Sequence, residues 1–343
     1  MPFNYKWQLA DGYPSQGIKS NGLKVFSTFA CGGGSSMGYK LAGFDVIGAN
    51  DIDPKMSKVY QLNHKPKLFF ECPINELLTK ELPQELYELD ILDGSPPCST
   101  FSLSGLREKV WKKNKKFKEG QAEQILSDLF FDWIALVDRL KPKVAIAENV
   151  AGMLVGNAKA YTAKIIEELG KIGYEVQVFL LDASTMGVPQ RRRRVFFVCR
   201  RADLKLPSIK MEFNEQPVYF GEYREEHGVT KGLSPRIKEL MAHKIHSDKC
   251  LSDINERLYN KVSGFNAMLL KDNEVCPTIT ASSHNFRFCD GLVTTTQDLA
   301  LTGSFPVDYD YGPIIPKYLI GMSVPPVMMA QVANQVAIQI FKV

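Results

Sequence analysis

The sequence predicts an α/β protein with a doubly wound, open sheet and a second, smaller domain inserted late in the chain. Between residues 24 and 201, short apolar runs alternate with stretches of helical periodicity, which is typical of strands joined by crossover helices. A glycine-rich turn and a proline-rich turn directly follow two of the apolar runs, where such sheets bind ligands. Near residue 202 the alternation stops, and the chain stays polar and rich in turn formers to about residue 292.

The composition is that of a soluble globular protein. The 343 residues are 45% hydrophobic and 23% charged, and the net charge is only +4, so composition alone indicates no nucleic-acid partner. Seven cysteines without CxxC or Cys/His spacing predict reduced thiols, a cytoplasmic location and no metal site. The polar N-terminus, and the lack of any apolar run near the roughly 18 residues that span a bilayer, predict neither a signal peptide nor a membrane anchor.

The periodicity predicts the elements in order along the chain. Strands are expected at residues 25–29, 45–49, 89–92, 144–147, 176–181 and 195–199. Helices are expected at residues 37–41, 126–140 and 158–172, with Gly173 as the stop, and again after Pro326, where the helix should pack back on the first domain. The resulting division is a first domain at 1–201, a smaller domain at 202–292 and a return segment at 293–343 that completes the first domain.

The first candidate site is the glycine-rich turn at residues 29–38, FACGGGSSMG, between a strand and a helix. Glycines let a ligand approach the backbone, and the helix N-terminus favours a negative group. Asp51, at the end of the next strand, is a candidate to accept the ribose hydroxyls of a nucleoside-containing cofactor. Asp53 precedes Pro54 and suits a helix N-cap instead. A tight turn without a ligand is the alternative for the glycines.

The second candidate site is Cys98, which follows Pro96 and Pro97 at the end of an apolar run. A thiol becomes a good nucleophile where positive charge or a helix N-terminus stabilises its thiolate. A small buried cysteine is the commoner state of a free thiol. Two rigid prolines before a cysteine are an unusual way to build a core, which favours the functional interpretation.

The third candidate site is the sequence Glu148-Asn149-Val150, which ends another apolar strand. A carboxyl beside a desolvated crevice can share a proton with a bound base. The alternative is a second cap, in which Asn149 starts the next segment.

Basic residues form two further candidates. In PQRRRR, at residues 189–194, strand alternation predicts that Gln190, Arg192 and Arg194 share one face, while Arg191 and Arg193 lie on the other. Arginine suits phosphates and base edges, and a solvated basic run is the alternative. Residues 107–118 hold seven basic side chains against one acid. They could close over a polyanion, although a solvated loop is the more common state of such a stretch.

Together these motifs resemble the cytosine-5 DNA methyltransferase family. The order is a glycine-rich turn, Pro-Pro-Cys, Glu-Asn-Val, Gln-x-Arg-x-Arg, a variable region, and a return segment that ends YLIGMSVPP at residues 318–326. The order matches from residue 24 to the C-terminus. Each motif is weak by itself, whereas four in order with these spacings are highly specific.

The resemblance implies a Rossmann-like methyltransferase sheet with a target-recognition domain, S-adenosylmethionine as cofactor, and a base that is flipped out of the duplex. The catalytic residues would be Cys98, which attacks C6 of cytosine, Glu148, which holds N3, and Arg192 and Arg194, which contact the base or a flanking phosphate. The cofactor would lie against Phe29, Ala30, Gly33, Gly34, Asp51, Ile52, Leu129 and Ser323. The substrate would contact Pro97, Asn149, Gln190 and Thr278.

The chain departs from the family pattern mainly on the cofactor side. Ser27 stands where aspartate is usual, Cys31 replaces a glycine and Met322 replaces an asparagine. Pro73 falls where an aspartate would contact the adenine, and Gln297 and Asp298 stand where arginine and glutamate are usual. Cofactor affinity is therefore less firmly predicted than the chemistry on the base.

The resulting hypothesis is a monomeric, cytoplasmic methyltransferase of a bacterium or phage that acts on double-stranded DNA. Methylation of cytosine in tRNA is the nearest alternative, and a catalytically silent DNA-binding member is a rival of a different class. A cognate restriction endonuclease is an open question, since nothing in the residues specifies one. The DNA sequence that is recognised cannot be inferred from residues 202–292.

Overall fold

The structure is a computed structural model that describes residues 3–12, 19–97, 129–156, 158–264 and 266–343. Cys98 and the basic stretch at 107–118 lie outside the described residues. The predicted central sheet is present, with seven strands in the order β3-β2-β1-β4-β5-β7-β6. The strands are β1 (Lys24–Thr28), β2 (Asp45–Asp51), β3 (Leu68–Glu71), β4 (Ile91–Gly94), β5 (Val144–Val150), β6 (Tyr174–Asp182) and β7 (Arg193–Arg201).

Alternate residues of the central strands pack into two separate cores, one on each side of the sheet. On β1, Val25 joins one core and Phe26 the other, and Ile91 and Leu92 divide in the same way on β4. Both faces of these strands are covered, so they form nearly continuous apolar runs in the sequence. The predicted doubly wound α/β architecture is confirmed.

Helices cover both faces of the sheet. The helix α1 (Gly34–Leu41) packs against the long C-terminal helix on one side, and both contribute to the first core. On the opposite side, α3 (Leu129–Leu140) and α4 (Ala158–Lys171) contribute to the second core, including the fully buried Trp133. The C-terminal helix is α9 (Pro326–Val336). The other helices are α2 (Pro54–His64), α5 (Pro235–Ala242), α6 (Leu251–Tyr259), α7 (Thr296–Thr302) and α8 (Pro316–Met322). Within the described ranges, no helix is both long and apolar enough to cross a membrane.

The direction of β7 decides what lies at the ligand-binding edge of the sheet. Strands β1 to β5 are parallel where they pair, but β7 runs antiparallel to both β5 and β6. The first residues of β7 therefore lie at the edge where β1, β4 and β5 end. This reversal brings the arginines of residues 191–194 to the same edge as Glu148.

The inserted region has more regular structure than its sequence suggests. The sequence predicts an irregular segment at 202–292, whereas the structure contains α5, α6 and the parallel pair β8 (Ala267–Leu270) and β9 (His284–Arg287). These elements build a separate small core around Leu240, Ile254 and Phe286. The Ser234-Pro235 start of α5 is a recognisable helix signal, because Ser234 caps the amide of Ile237.

Most element boundaries differ from the predictions by one to three residues, and one strand of the central sheet was not predicted. The strand expected at residues 89–92 occupies Ile91–Gly94, and Leu89 is buried just before it. The edge strand β3 carries no alternation that would have revealed it, since three of its four residues are half-buried and apolar. The C-terminal helix is confirmed: α9 starts at Pro326, packs on the first core, and continues into a π-helical turn at Ala337–Phe341.

Candidate active site

The glycine-rich turn has an unusual backbone. Phe29 and Cys31 adopt left-handed conformations with φ of 52° and 48°, and Gly33 caps α1 with φ of 80°. A left-handed backbone costs most side chains about 1–2 kcal/mol, so residues other than glycine in it are retained where the surroundings fix them. The Ala30 amide donates to the Asn50 carbonyl at 3.0 Å and ties the turn to β2.

Close packing around the turn explains two of its glycines. A Cβ atom on Gly33 would lie 2.0 Å from Nε2 of His64, and one on Gly34 would lie 2.2 Å from the Val324 carbonyl oxygen. His64 is buried and stacks on Tyr60 with 4.3 Å between ring centroids. The turn is thus pressed between α2 and the return segment, and no larger residue fits at either glycine.

Asp51 links the turn to the end of β2. One carboxylate oxygen accepts the amide of Cys31 at 2.7 Å, and the other accepts the amide of Asp53 at 2.8 Å. Burial raises the pKa of Asp51 to about 6, against the opposing effect of these hydrogen bonds. Asp53 caps α2 by accepting the amides of Lys55 and Met56, as its position before Pro54 predicts.

A cleft opens at the ends of β1, β2 and β4. Three of the predicted cofactor residues line it, namely Phe29, Asp51 and Ile52, together with Pro97 from the predicted substrate set. The remaining lining residues are Cys31, Asp53, Met56, Ser95, Tyr318 and Met322. Sequence reasoning did not select Met56, Ser95 or Tyr318. Tyr318 lies in the return motif and Ser95 between Gly94 and Pro96, so their motifs could have suggested them.

The remaining predicted cofactor residues are not among the residues that line this cleft. Ser323 is buried, and its hydroxyl donates to the Leu319 carbonyl at 2.8 Å, so its side chain caps the C-terminal end of α8. Leu129 is the first described residue of α3 and is buried in the second core. Ala30 is buried beneath the turn, next to Ala49 and Tyr60.

Two of the residues that depart from the family pattern face the cleft directly. The Cys31 sulfur lies 3.9 Å from both the Met56 sulfur and the Ser323 hydroxyl. Burial raises the pKa of Cys31 to about 12, so its thiol is protonated and is not a nucleophile at neutral pH. Met322 is 45% exposed at the mouth of the cleft. Pro73 begins a 3-10 turn at Ile74–Leu78 after β3.

Glu148 and Arg194 form an ion pair at the same edge of the sheet. Arg194 Nε lies 2.9 Å from Glu148 Oε1, and both side chains are largely buried. In the antiparallel register Arg194 is the partner of Val150, so Glu148 lies diagonally across and on the same face. Burial lowers the pKa of Arg194, and the Glu148 charge opposes that effect. The pair is therefore a charge-assisted hydrogen bond held in place by two strands.

Asn149 holds the segment that leads to Cys98. Its side-chain amide donates to the Pro96 carbonyl at 2.9 Å, and its own oxygen accepts the Val150 amide. The side chain therefore fixes the backbone two residues before the cysteine, and the alternative of a simple helix cap does not describe it. Pro97 reaches the cleft next to this contact.

The predicted alternation of faces at residues 190–194 is confirmed. Gln190 and Arg192 are buried, whereas Arg191 and Arg193 are exposed. Arg192 donates to three backbone carbonyls, those of Ile279, Gly321 and Ser323, at 3.0, 3.0 and 2.9 Å. Its guanidinium group is thus engaged within the protein and connects β7 to the inserted region and the return segment.

Gln190 and Thr278 connect the residues before β7 to the inserted region. The side-chain oxygen Oε1 of Gln190 accepts the Ile279 amide at 3.2 Å, and the side-chain Nε2 of Gln190 donates to the Thr302 carbonyl of the return segment at 3.3 Å. The Thr278 hydroxyl donates to the Arg191 carbonyl at 2.7 Å, and the residue is half-buried. The geometry places Thr278 beside Arg191 and commits Gln190 to internal contacts.

Comparison with known proteins gives a consistent family. The model of the family described as C-5 cytosine-specific DNA methylase matches residues 23–337. Type II methyltransferase M.FnuDI of Fusobacterium nucleatum is 34% identical over 191 residues, which are 56% of this chain and 51% of that protein. Type II methyltransferase M1.HphI of Haemophilus parahaemolyticus is 24% identical over 334 residues, which are 92% of this chain and 86% of that protein.

The fold has a close counterpart among solved structures. An E. coli prophage protein described as a DNA modification methyltransferase superposes with a TM-score of 0.67 at 19% identity, over 92% of this chain and 99% of that one. At this identity the likeness shows the fold. The chain spans about half the length of the first curated relatives that it matches.

Proposed function

The chain belongs to the C-5 cytosine-specific DNA methylase family, and from that premise we propose that it methylates C5 of a flipped-out cytosine in a specific double-stranded DNA sequence. The observation that carries the proposal is the buried Glu148–Arg194 pair, which lies at the edge of the sheet where β4 leads toward Cys98. A buried carboxylate and guanidinium side by side can bind the polar edge of one unstacked base.

The cleft fits S-adenosylmethionine in the chemistry of its lining. Asp51 offers a carboxylate for two ribose hydroxyls, the usual role of an acidic residue that ends the second strand of such a sheet. Phe29, Ile52 and Met56 offer apolar contact for the adenine and the methionine chain. Gly33 and Gly34 bring the backbone close to the ligand, with Ala30, Leu129 and Ser323 supporting the pocket from behind. When bound, the cofactor supplies an electrophilic methyl group.

The base chemistry is assigned to three side chains. The Cys98 thiolate adds to C6 of cytosine, and the electron pair of the C5–C6 bond moves toward C5 and N3. A proton shared between Glu148 and N3 neutralises the negative charge that builds on N3, while Arg194 holds Glu148 and the base. C5 then accepts the methyl group, and loss of the C5 proton restores the double bond and expels the Cys98 thiolate.

The neighbouring residues hold this arrangement in place. Asn149 fixes Pro96 and so orients the segment that carries Pro97 and Cys98. Thr278 is half-buried next to the start of β7 and is assigned a contact with the DNA backbone beside the target. Arg192 and Gln190 are proposed to position the inserted region rather than to contact the base, because both terminal nitrogens of Arg192 and both polar side-chain atoms of Gln190 already bind protein carbonyls and an amide.

Target recognition is assigned to residues 202–292, between the catalytic domain at 1–201 and the return segment at 293–343. The separate small core around Ile254 supports a module that can vary without disturbing the sheet. The protein is proposed to act as a monomer in the cytoplasm of a bacterium or phage-infected cell. A cognate restriction endonuclease would be a biological partner, not a part of the site.

Covalent trapping tests the proposal directly. The wild-type protein is incubated with S-adenosylmethionine and DNA in which the target cytosine carries fluorine at C5, which cannot leave as a proton. A stable protein–DNA adduct that disappears in Cys98→Ser is expected, and the target is first located by sequencing 5-methylcytosine in DNA from expressing cells. If no DNA is methylated and tRNA is, the substrate is RNA; if neither is methylated and no adduct forms, the catalytic assignment fails.

A further inference from the structure

A buried carboxylate lies directly behind the glycine-rich turn. Asp93, on β4, accepts hydrogen bonds from the hydroxyls of Ser27, Ser35 and Tyr39 at 2.8, 2.8 and 3.3 Å, and only 1% of its surface is exposed. Ser27 belongs to β1, whereas Ser35 and Tyr39 belong to α1. This one carboxylate therefore joins two strands to the helix that begins where the turn ends.

Ser27 and Asp93 occupy the same level of two adjacent strands. β1 and β4 are parallel, and Ser27 is the register partner of Asp93. Register partners in neighbouring strands point to the same side of a sheet, so a carboxylate at either position reaches the same space beneath α1. Position 27 is where the family pattern has aspartate. In this chain position 27 is Ser27, and the carboxylate belongs to Asp93, the register partner of Ser27 on β4.

We propose that Asp93 is a positioning residue for the cofactor turn, and that it supplies from β4 the carboxylate that the family pattern places at position 27. The proposal rests on the proposed function of the cleft as the S-adenosylmethionine site. Ser35 directly follows Gly33 and Gly34, so holding its hydroxyl fixes the first turn of α1 and the glycine-rich turn that leads into it. The carboxylate of Asp93 then compensates for the serine at position 27, and one carboxylate is kept beneath α1.

The surroundings of Asp93 support a role beyond filling space. Val25 and Ile91, the partners two residues earlier on the same face of these two strands, are apolar and fully buried. A carboxylate in such a place is unfavourable unless donors compensate it, and burial raises the pKa of Asp93 to about 6, with the Glu148 charge adding to the effect. Asp93 also precedes Cys98 on the same segment of chain, so it connects the cofactor turn to the strand that leads to the nucleophile.

A reciprocal exchange tests the proposal. D93S leaves two serines facing each other, S27D leaves two carboxylates, and the double variant S27D/D93S restores one of each in reversed positions. Affinity for S-adenosylmethionine is measured by titration calorimetry. Hydrogen exchange of amides 33–41 is measured in the cofactor-free protein. Each single variant should bind the cofactor about tenfold more weakly or worse and lose protection in α1, and the double variant should return to within about threefold of wild type.

A second exchange on the same two strands is the control. V25I/I91V swaps the neighbouring apolar partners without changing volume or polarity, and it should leave both measurements unchanged. If a single variant does not fold, the double variant still decides the question, because restored folding and binding support the exchange and continued failure overturns it.

The outcomes separate this proposal from the proposed function. Singles that behave like wild type, or a double variant no better than the singles, overturn the role of Asp93. If wild-type protein binds no S-adenosylmethionine, the assignment of the cleft fails, while loss of α1 protection in the singles and its recovery in the double variant still decide whether Asp93 anchors the turn.

Discussion

At the scale of single residues, the Asp51 carboxylate both holds the glycine-rich turn in place and lines the cleft beside it. Its two oxygens accept the amides of Cys31 and Asp53, and the same side chain lines the cleft. Because burial raises its pKa to about 6, its charge is lost only slightly below neutral pH. The proposed cofactor site is therefore sensitive to mild acid.

We expect the affinity for S-adenosylmethionine to fall as the pH falls from 7 to 5. Ribose binding needs the ionised carboxylate, and a raised pKa means that protonation begins near pH 6. Below that value the affinity should drop by up to about tenfold per pH unit. Asp51→Asn should bind about 10- to 100-fold more weakly at pH 7.5 and lose most of this pH dependence. Calorimetric titrations between pH 5 and 8 measure both effects.

Asp53→Asn is the matched control for this experiment. Asp53 lines the same cleft but caps α2, and asparagine caps helices as well as aspartate does. It should keep the affinity and the pH dependence of wild type. A flat pH profile in the wild-type protein would mean that Asp51 does not bind the cofactor in its ionised form.

At the scale of elements, the contact between α1 and α9 sets how closely the return segment approaches the glycine-rich turn. A Cβ atom on Gly38 would lie 2.4 Å from Met329 Cβ and 2.6 Å from the Pro326 carbonyl oxygen, so the two helices touch at backbone distance. Gly34, one turn earlier, meets the Val324 carbonyl in the same way. Small residues on α1 thus let the segment carrying Ser323 close one side of the cleft.

Replacing Gly38 with alanine should separate these helices. Because backbone atoms oppose the new methyl group, we expect Gly38→Ala to reduce the free energy of unfolding by about 1–3 kcal/mol. Gly170→Ala on α4 is the control, since nothing lies within 4 Å of a Cβ there and alanine favours the helix by up to about 1 kcal/mol. Urea unfolding measures both, and equal effects of the two substitutions would contradict close packing at Gly38.

Arg192 connects three elements through its guanidinium group. It joins the start of β7 to the inserted segment at Ile279 and to the residues around Ser323. Lysine cannot reach three carbonyls in this planar arrangement, and each abandoned buried carbonyl carries a desolvation cost. Arg192→Lys should therefore lower the free energy of unfolding by about 2 kcal/mol or more.

The exposed neighbour supplies the comparison. Arg191→Lys keeps the backbone contacts of that residue and should change the unfolding free energy by less than about 0.5 kcal/mol. Thermal and urea unfolding of both variants, with hydrogen exchange of residues 277–281, report the result. Should Arg192→Lys be as stable as Arg191→Lys but fail to bind DNA, Arg192 would belong to the DNA contact surface after all.

At the scale of the whole molecule, the chain has two large cores around the sheet and a separate small core in the inserted region. The buried residues of that small core, among them Leu240, Ile254 and Phe286, come from the insertion, and Val293 of the return segment packs against them. Further contacts tie the insertion to the rest of the chain, among them the cluster of Phe220, Tyr223 and Leu301 and the hydrogen bond from Arg192 to the Ile279 carbonyl. The insertion can thus vary in sequence while the edge of the sheet that carries Glu148 stays fixed.

Loosening the small core should affect DNA binding without affecting the cofactor. Ile254→Ala removes a fully buried side chain and should destabilise the insertion by about 2–5 kcal/mol, with lost amide protection confined to residues near 233–293. Ile165→Ala, at an equally buried position on α4, should instead lose protection in the sheet domain. If Ile254→Ala weakens S-adenosylmethionine binding as much as DNA binding, the insertion is not an independent recognition module.

Local patterns in the chain were enough to find the sheet and most of the candidate site. Apolar runs bounded by turn residues located six of the seven strands, and the turns at their ends contained Asp51, Glu148 and the arginines of residues 191–194. The edge strand β3 and the short elements of the insertion were missed, because four- to nine-residue segments with half-buried faces carry little periodicity. The alternation of Arg192 and Arg194 with exposed neighbours followed from strand geometry alone.

What the sequence by itself determined was the set of chemical groups and the strand ends that carry them, because apolar periodicity and turn residues are local properties. Which groups meet was decided by the tertiary structure. Arg194 reaches Glu148 because β7 runs antiparallel to β5, and Arg192 turns inward to three carbonyls that lie 87 to 131 residues away in the chain. Asp93 stands beside Ser27 only because β4 pairs with β1 in that register, a long-range pairing that no local pattern contains.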